Sequence, residues 1–297
     1  GANNGLVNYN GTSGTQIVKS DTYADIMFSG GAAKTIATGG IVITNEATFT
    51  SGIVTAAAGA TITFNDNTEA LSASDASFVV GPVVKEGNDA FTFPVENSGG
   101  SNPNRFHPIS IGTPTASTTF EAEYIRGSAG TLDPDLNVGI YGVSACEYWR
   151  LERTGANATA DVTLSWNEYS GCSSNYITTL AGLIMAWYDA ADSRWENSLG
   201  GSQTPTSSSP FTTGTLLRTI NNVNGFGYFT FGNVSENGSP LPVKFSNLHA
   251  FEKQAGVQLN WIAYQEENLD HYRVERSADG IQFVPVGSVA SQNTVTE

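Results

Sequence analysis

The sequence predicts an all-β chain in three successive parts, and three observations predict it. Thr, Ser, Asn, Val and 32 glycines dominate, and windows of helical period bracketed by capping residues are missing. Short apolar runs alternate with polar residues at a period of two, the pattern of strands with one buried face. Clusters of Gly, Asn, Asp and Ser separate these runs at turn-like intervals. The expected architecture is a short parallel β-helix over residues 1–82, an antiparallel, jelly-roll-like β-sandwich over 83–236, and an incomplete third sandwich over 237–297.

In the first part, Ile26, Ile43, Ile62 and Val79 fall 17, 19 and 17 residues apart. A loose repeat of that length suits one coil of a parallel β-helix, because stacked coils bury aliphatic side chains that a single coil would leave wet. The corners fit: Ser29-Gly30-Gly31, Thr38-Gly39-Gly40 and Ser51-Gly52 allow sharp turns. An antiparallel sandwich built from the same short strands is the competing reading. Residues 1–20, rich in Asn and Gly, are expected to cap the first coil against edge pairing, or to join something upstream.

At Gly81-Pro82 the pattern changes. Residues Val83 to Asp89 read as a turn, and Ala90 to Val95 alternate as a new strand. Further strands are expected at Pro108 to Ile111, Thr119 to Ile125, Glu147 to Arg153, Asp161 to Trp166, Leu180 to Tyr188, Leu216 to Ile220 and Gly227 to Phe231. Between them Gly200 to Ser209 (GGSQTPTSSS) is the longest stretch expected to be flexible. Asn233 to Pro242 reads as a linker stiffened by Pro240 and Pro242.

The third part carries alternating runs at Val243/Phe245/Leu248, Val257/Leu259/Trp261 and Tyr272/Val274. A turn follows at Ser277-Ala278-Asp279-Gly280, and a fourth strand begins at Phe283. Four strands fall short of the roughly seven that close a sandwich, so the domain is expected to continue beyond Glu297.

Acidic residues outnumber basic ones 28 to 13, a net charge of −15, with only 14% of residues charged. Such a surface repels phosphate backbones and anionic headgroups, which argues against nucleic-acid binding. No apolar run reaches the length of a membrane span, so membrane insertion is not expected and any export signal has already been removed. No cofactor is implied. Calcium is the one candidate ion: Asp133 and Asp135 in TLDPDLN, or Asp66, Glu69 and Asp75, offer oxygens, although neither set has the spacing of a calcium loop. Cys146 and Cys172 are the two cysteines and are expected to form a disulfide, the alternative being two unpaired thiols.

Motifs that carry catalysis are missing. His107, His249 and His271 sit in no nucleophile or zinc signature, and His107 in NRFHPI reads as a turn or edge residue. Paired carboxylates occur at Glu121/Glu123, Asp133/Asp135 and Asp189/Asp192. Glu121 and Glu123, two apart on a strand, share a face that most simply meets water. The chain is therefore expected not to be an enzyme. Aromatic side chains give the sharpest binding expectation, because sugar rings lay their C–H faces on flat rings. Most of Tyr148, Trp149, Trp166, Trp187, Tyr188 and Trp195 are expected in a core, with Tyr188 and Trp195 the candidate ligand-binding pair.

The string YADIMFSGGAAKTIATGGIVITNEATFTSGIVTAAAGATITF resembles the short β-helix coils of surface proteins of Bacteroidota type. FVVGPVVKEGNDAFTFPVEN and EYWRLERTGANATADVTLSW resemble the sandwich that follows such coils. LNWIAYQEENLDHYRVERSADGIQFVPVGSV is similar to a fibronectin-type-III-like module. The resemblance implies a missing C-terminal region read by the type IX secretion machinery, and hence a place outside the cell or on its surface. It implies a non-enzymatic structural or adhesive segment whose partners are surface glycans or other surface proteins. An accessory carbohydrate-binding region of a secreted polysaccharide-degrading enzyme is the alternative. The two cysteines depart from this pattern.

Overall fold

The computed structural model describes residues 5–97, 106–132, 135–167, 176–221, 224–235, 244–253, 256–264, 271–277 and 283–290. They fall into two compact units, 1–240 and 241–297. Every regular element among them is a strand except one 3₁₀ turn at Ala129–Thr131, and no helix is long and apolar enough to cross a membrane.

The first unit begins as a solenoid-like stack. Its strands are β1 (Leu6–Tyr9), β2 (Thr15–Val18), β3 (Thr22–Phe28), β4 (Ala33–Ile36), β5 (Ile41–Phe49), β6 (Val54–Ala56), β7 (Ile62–Phe64), β8 (Glu69–Leu71), β9 (Val79–Val80) and β10 (Val83–Gly87). They alternate between two parallel walls, β1-β3-β5-β7-β10 with β8 beside β5, and β2-β4-β6-β9. The expected cap at residues 1–20 supplies β1 and β2, which form the first coil. The repeat is longer than the aliphatic spacing suggested: Ile41, Ile62 and Val83 are register partners, in steps of 21 residues. Val79 belongs to the opposite wall, where it faces Val54, and Ile26 aligns with Ala47.

Two lysines point into this stack. Lys34 is fully buried and its ammonium donates to the carbonyls of Ser29, Ala32 (2.7 Å) and Ser51 (3.1 Å), tying one coil to the next. Burial pushes its pKa down. The corner beside it needs glycine, because at Gly52 (φ +90°) a Cβ would stand 2.2 Å from the Ala32 carbonyl oxygen and 2.6 Å from Lys34 Nζ. Lys85 continues the inward column Ile43, Phe64 on β10. Its ammonium donates to the Asn65 carbonyl (2.6 Å), pairs with Asp89 (2.8 Å) and lies 5.4 Å from the Phe91 ring.

The stretch from Val83, expected to be a turn, is the strand on which the fold changes character. A lysine in the inward row hid its alternation; in the structure Val83, Lys85 and Gly87 are all buried. The expected boundary between residues 82 and 83 thus falls inside a continuous sheet. The later strands are β11 (Phe91–Phe93), β12 (Ile109–Ile111), β13 (Thr118–Arg126), β14 (Gly142–Val143), β15 (Glu147–Thr154), β16 (Ala160–Trp166), β17 (Leu183–Asp189), β18 (Arg194–Glu196), β19 (Gln203–Thr206), β20 (Gly214–Ile220) and β21 (Gly227–Asn233). β10 pairs parallel with β7 on one edge and antiparallel with β13 on the other. The wall so extended runs on through β13-β15-β21-β17-β18 to make a 12-stranded sheet. Beside the other wall, Val79 bridges to Val95, just after β11.

A five-stranded antiparallel sheet, β11-β12-β16-β20-β19, supplies the facing layer. Trp166 on β16 meets Phe231 on β21 edge-on at 5.6 Å, and one buried cluster runs from Val18 to Phe231. β19 lies within the segment expected to be flexible; as an edge strand it accommodates Pro205. Between the layers buried Arg218 donates to the Met185 carbonyl (2.6 Å) and to Asn197, while Gln203 Oε1 accepts from the Met185 N–H (2.6 Å). Side chains of one sheet thereby cover the backbone edge of β17 in the other. Burial pushes the Arg218 pKa down to about 10.

The second unit contains two hairpins, β22 (Lys244–Lys253) with β23 (Gly256–Tyr264) and β24 (His271–Ser277) with β25 (Phe283–Ala290). The four expected strands are therefore present. Trp261 and Tyr272 pack edge to face at 5.7 Å between the hairpins. The expected turn residues at 278–280 lie outside the described residues.

If Lys34 ties the coils, Lys34→Met strands three carbonyls and lowers stability by about 2–4 kcal/mol in urea unfolding. Gly52→Ala lowers it comparably. Unchanged unfolding midpoints in both variants would refute this account of the corner.

Candidate functional site

Among the described residues a concavity arises where the 12-stranded sheet splits. β21 starts at Gly227, opposite Leu151 of β15, whereas its ladder with β17 ends at Trp187 opposite Phe229. Beyond that pair β17 continues through Tyr188 and Asp189 with β18 as its partner, and β21 begins only at Gly227. The parted strands leave a cleft of about 750 Å³ lined by Glu152 and Arg153 of β15, Trp187 to Asp189 of β17 with Ala190 and Ala191, and Asn224 to Tyr228 without Gly225.

Aromatic groups form much of its wall. Tyr188 and Tyr228 are half-buried, pack edge to face at 6.4 Å, and continue into Tyr148 at 5.9 Å from Tyr228. Phe226 is half-buried and leans on Phe120. Trp187 is 7% exposed and its indole N–H has no hydrogen-bond partner. That nitrogen is closed to solvent, and a Cβ at Gly227 would stand 3.7 Å from it, in ordinary van der Waals contact.

Of the expected ligand-binding pair, Tyr188 lines the cleft and Trp195 does not. Trp195 is fully buried among Ala129, Ile140 and Val143, with its indole N–H donating to the Ala129 carbonyl at 3.3 Å. The register explains this: Tyr188 and Trp195 are partners across β17 and β18 and share a face, and the loop from Ala129 covers the Trp195 end. Phe226, Tyr228 and Trp187 carry no signal in the sequence as lining residues, because only the strand parting brings them to one cleft.

The acidic candidates separate into different roles. Asp189, Asp192 and Glu196 bring oxygens within 4.8 Å of one another, and Arg194 lies among them, 2.9 Å from Asp192 and 2.7 Å from Glu196. The Ser198 hydroxyl and Arg194 hold Glu196 below the usual carboxylate pKa against the effect of burial. Glu121 and Glu123 share a face as expected, and Arg150 binds both, at 2.6 and 3.2 Å, and Glu152 at 3.3 Å. Asp66 accepts from the Asn88 N–H (3.2 Å) and Asp75 from the Phe106 N–H (2.6 Å), and among the described residues neither joins Glu69 in a metal-sized group. The Asp135 carbonyl accepts from the Trp195 N–H at 3.0 Å, and Asp133 lies outside the described residues. Among the described residues there is no free cysteine; Cys146 directly precedes β15, and Cys172 lies outside them.

A second polar cluster is sealed inside the fold. His107, expected at a turn or edge, is fully buried, with Nδ1 hydrogen-bonded to Glu96 and Nε2 3.8 Å from Glu147. Its ring stacks on Tyr124 at 5.0 Å, and its carbonyl accepts from Trp149 Nε1 at 3.0 Å. Tyr124 donates to Glu147 at 2.9 Å, and Arg126 stands 3.6 Å from Glu96. Tyr176 donates to Ser144 Oγ at 2.6 Å. Both carboxylates are buried and neither lines the cleft. Burial alone would lower the His107 pKa; the hydrogen bond to Glu96 and the charges of Glu147 and Glu96 outweigh it and raise the pKa. Burial raises that of Glu147, against the pull of His107 and Tyr124. Burial and these carboxylates also push Tyr124 well above its ordinary value.

No family model, curated protein or solved structure matches the chain.

Both shifts in the sealed cluster point the same way: His107 and Glu147 hold a proton more tightly folded than unfolded. The stability they contribute is fully present below their unfolded values and is lost as pH rises through the raised folded ones. The melting temperature of residues 1–240 is expected to fall as pH rises from the ordinary glutamate range through and beyond the ordinary histidine value, and His107→Gln is expected to flatten that fall. A wild-type melting temperature that is level over this range, or an unaltered slope in the variant, would contradict the assignment.

Proposed function

We propose that the chain is an extracellular, non-enzymatic structural or adhesive segment of a surface-displayed or secreted protein, exported by the type IX machinery through a region beyond Glu297. One observation carries the reading: the parallel stack and the antiparallel layers share a sheet, so the first unit has no soft joint at its change of architecture. Such a body suits a segment that transmits load outside the cell. In this reading β11–β21 form a jelly-roll-like sandwich and β22–β25 are the opening strands of a fibronectin-type-III-like module. Cys146 and Cys172 are bridged, as suits an oxidising compartment. The acidic surface keeps the segment soluble and away from anionic polymers.

The cleft favours a second reading, an accessory carbohydrate-binding region. Aromatic walls with convergent polar groups are the usual make-up of small-molecule sites, and its volume lies within their range of roughly 300–1,000 Å³.

Antibodies raised against residues 1–240 are expected to label intact, unpermeabilised cells of the producing organism, or to find the chain in the medium. Removal of its coding segment is expected to reduce attachment of those cells to a surface. Mass spectrometry of the secreted form is expected to show Cys146 linked to Cys172. A chain found only inside the cell, with both thiols alkylatable, would refute the extracellular reading.

A further inference from the structure

We infer that the outer face of the β2-β4-β6-β9 wall is an ice-binding surface, with crystalline water as its ligand. The face lies apart from the cleft, and its chemistry is independent of the export and carbohydrate readings.

The wall repeats in two directions. Its inward residues Val18, Lys34, Ile36, Val54 and Val79 are fully buried, so the residues that alternate with them point out. Ile17, Thr35, Thr55 and Val80 are successive register partners in one outward column. Thr15 and Ala33 begin a second column, which Ile53, next to Val54, continues. Neighbours within a column stand about 4.8 Å apart and the columns about 6.6 Å apart, the spacings of adjacent strands and of alternate residues along a strand. All seven side chains reach solvent, Ile17 with 61% of its surface. All but Ala33 are β-branched and stiff at χ1, so the array is formed in advance.

The face also carries no charge. Segments 11–18, 29–40, 50–61 and 76–82 build the wall and its corners, and the single charged residue in them is the inward Lys34. In a chain of net charge −15 the contrast with the opposite wall is sharp, for there Asp25, Glu46 and Glu69 are register partners. Lys19 and Asp21, just past β2, neutralise each other at 2.7 Å.

Methyl groups restrict the water over them, while threonine hydroxyls hydrogen-bond to it. Small groups of both kinds at fixed spacing hold first-layer water in rows that a crystal of water can continue. Other occupants lack their usual contacts. None of the seven positions is aromatic, as stacking on a sugar ring requires, and none is an ion-binding carboxylate or cation. Protein interfaces draw on Trp, Tyr, Met and Arg anchors, which these positions also lack, so a second copy finds little to grip.

The test places the whole chain on ice. It reads the shape and freezing-point gap of single crystals, the uptake of fluorescently labelled chain into growing ice, and the oligomeric state by light scattering. The wild type is expected to facet the crystals and to enter the ice. Thr35→Lys and Thr55→Lys put a charge in the central column and are expected to abolish both effects, whereas Thr48→Lys on the opposite wall is expected to keep them. Circular dichroism verifies folding, and Ile17→Lys, at an exposed position, serves where a threonine variant does not fold. A wild type that neither facets nor enters ice would overturn the inference. So would activity that the folded column variants retain, or activity lost equally in Thr48→Lys. A wild-type dimer that Thr55→Lys dissociates would give the face to a second copy instead.

Discussion

β10 is the strand on which the first unit depends, because it is hydrogen-bonded along both edges in opposite senses. Its parallel ladder with β7 ends the coil stack, and its antiparallel ladder with β13 begins the layered region. An open end of a parallel stack would expose a row of unpaired backbone groups, and β13 removes that row by pairing with it. The change of strand direction needs no linker, since the 12-stranded sheet runs through it. Lys85 completes the junction: its charge is met by the Asn65 carbonyl and Asp89, and its ammonium faces Phe91 at the start of the second sheet.

The layered region carries a different burden, a set of ionisable groups of which all but the partly exposed Arg126 are buried. His107, Glu96, Glu147, Tyr124 and Arg126 come from the segment after β11, the approach to β12, and strands β13 and β15. Removing one member would leave its neighbours' charges buried without compensation, whereas together they fix how these segments meet. Arg218 and Lys34 solve the same problem with carbonyl oxygens and, for Arg218, the Asn197 side chain. In each case a long cation satisfies backbone groups at an edge or a corner that no strand reaches.

These same residues mark where the sequence was hard to read. Strands with clean alternation, such as Thr118–Arg126 and Ala160–Trp166, were legible to within a residue or two. β10 was read as a turn because a lysine occupies an inward position, and β19 was missed because Pro205 and its serine-rich surroundings mimic a loop. The coil length was misread because Val79 and Ile62 lie on different walls, although both are aliphatic and buried. His107 gave no signal because its partners are 11 and 40 positions away in sequence. Of the site residues singled out from the sequence, Tyr188 and Asp189 lie in the cleft lining; the cleft itself follows from where one ladder stops, a property of register rather than of composition.

The cleft and the junction are linked through one sheet. The strands that flank the cleft, β15 and β17, belong to the same ladder order that begins in the coils. A site at a strand parting keeps its walls in place only if those strands are held along the rest of their length. Hydrogen exchange on residues 1–240 tests the continuity most directly. The amides of Val83–Gly87 are expected to exchange only through global opening, with the same free energy as those of Trp149–Leu151. Exchange of β10 with the coils at a markedly lower free energy, while β15 stays protected, would show two separate bodies and contradict the account.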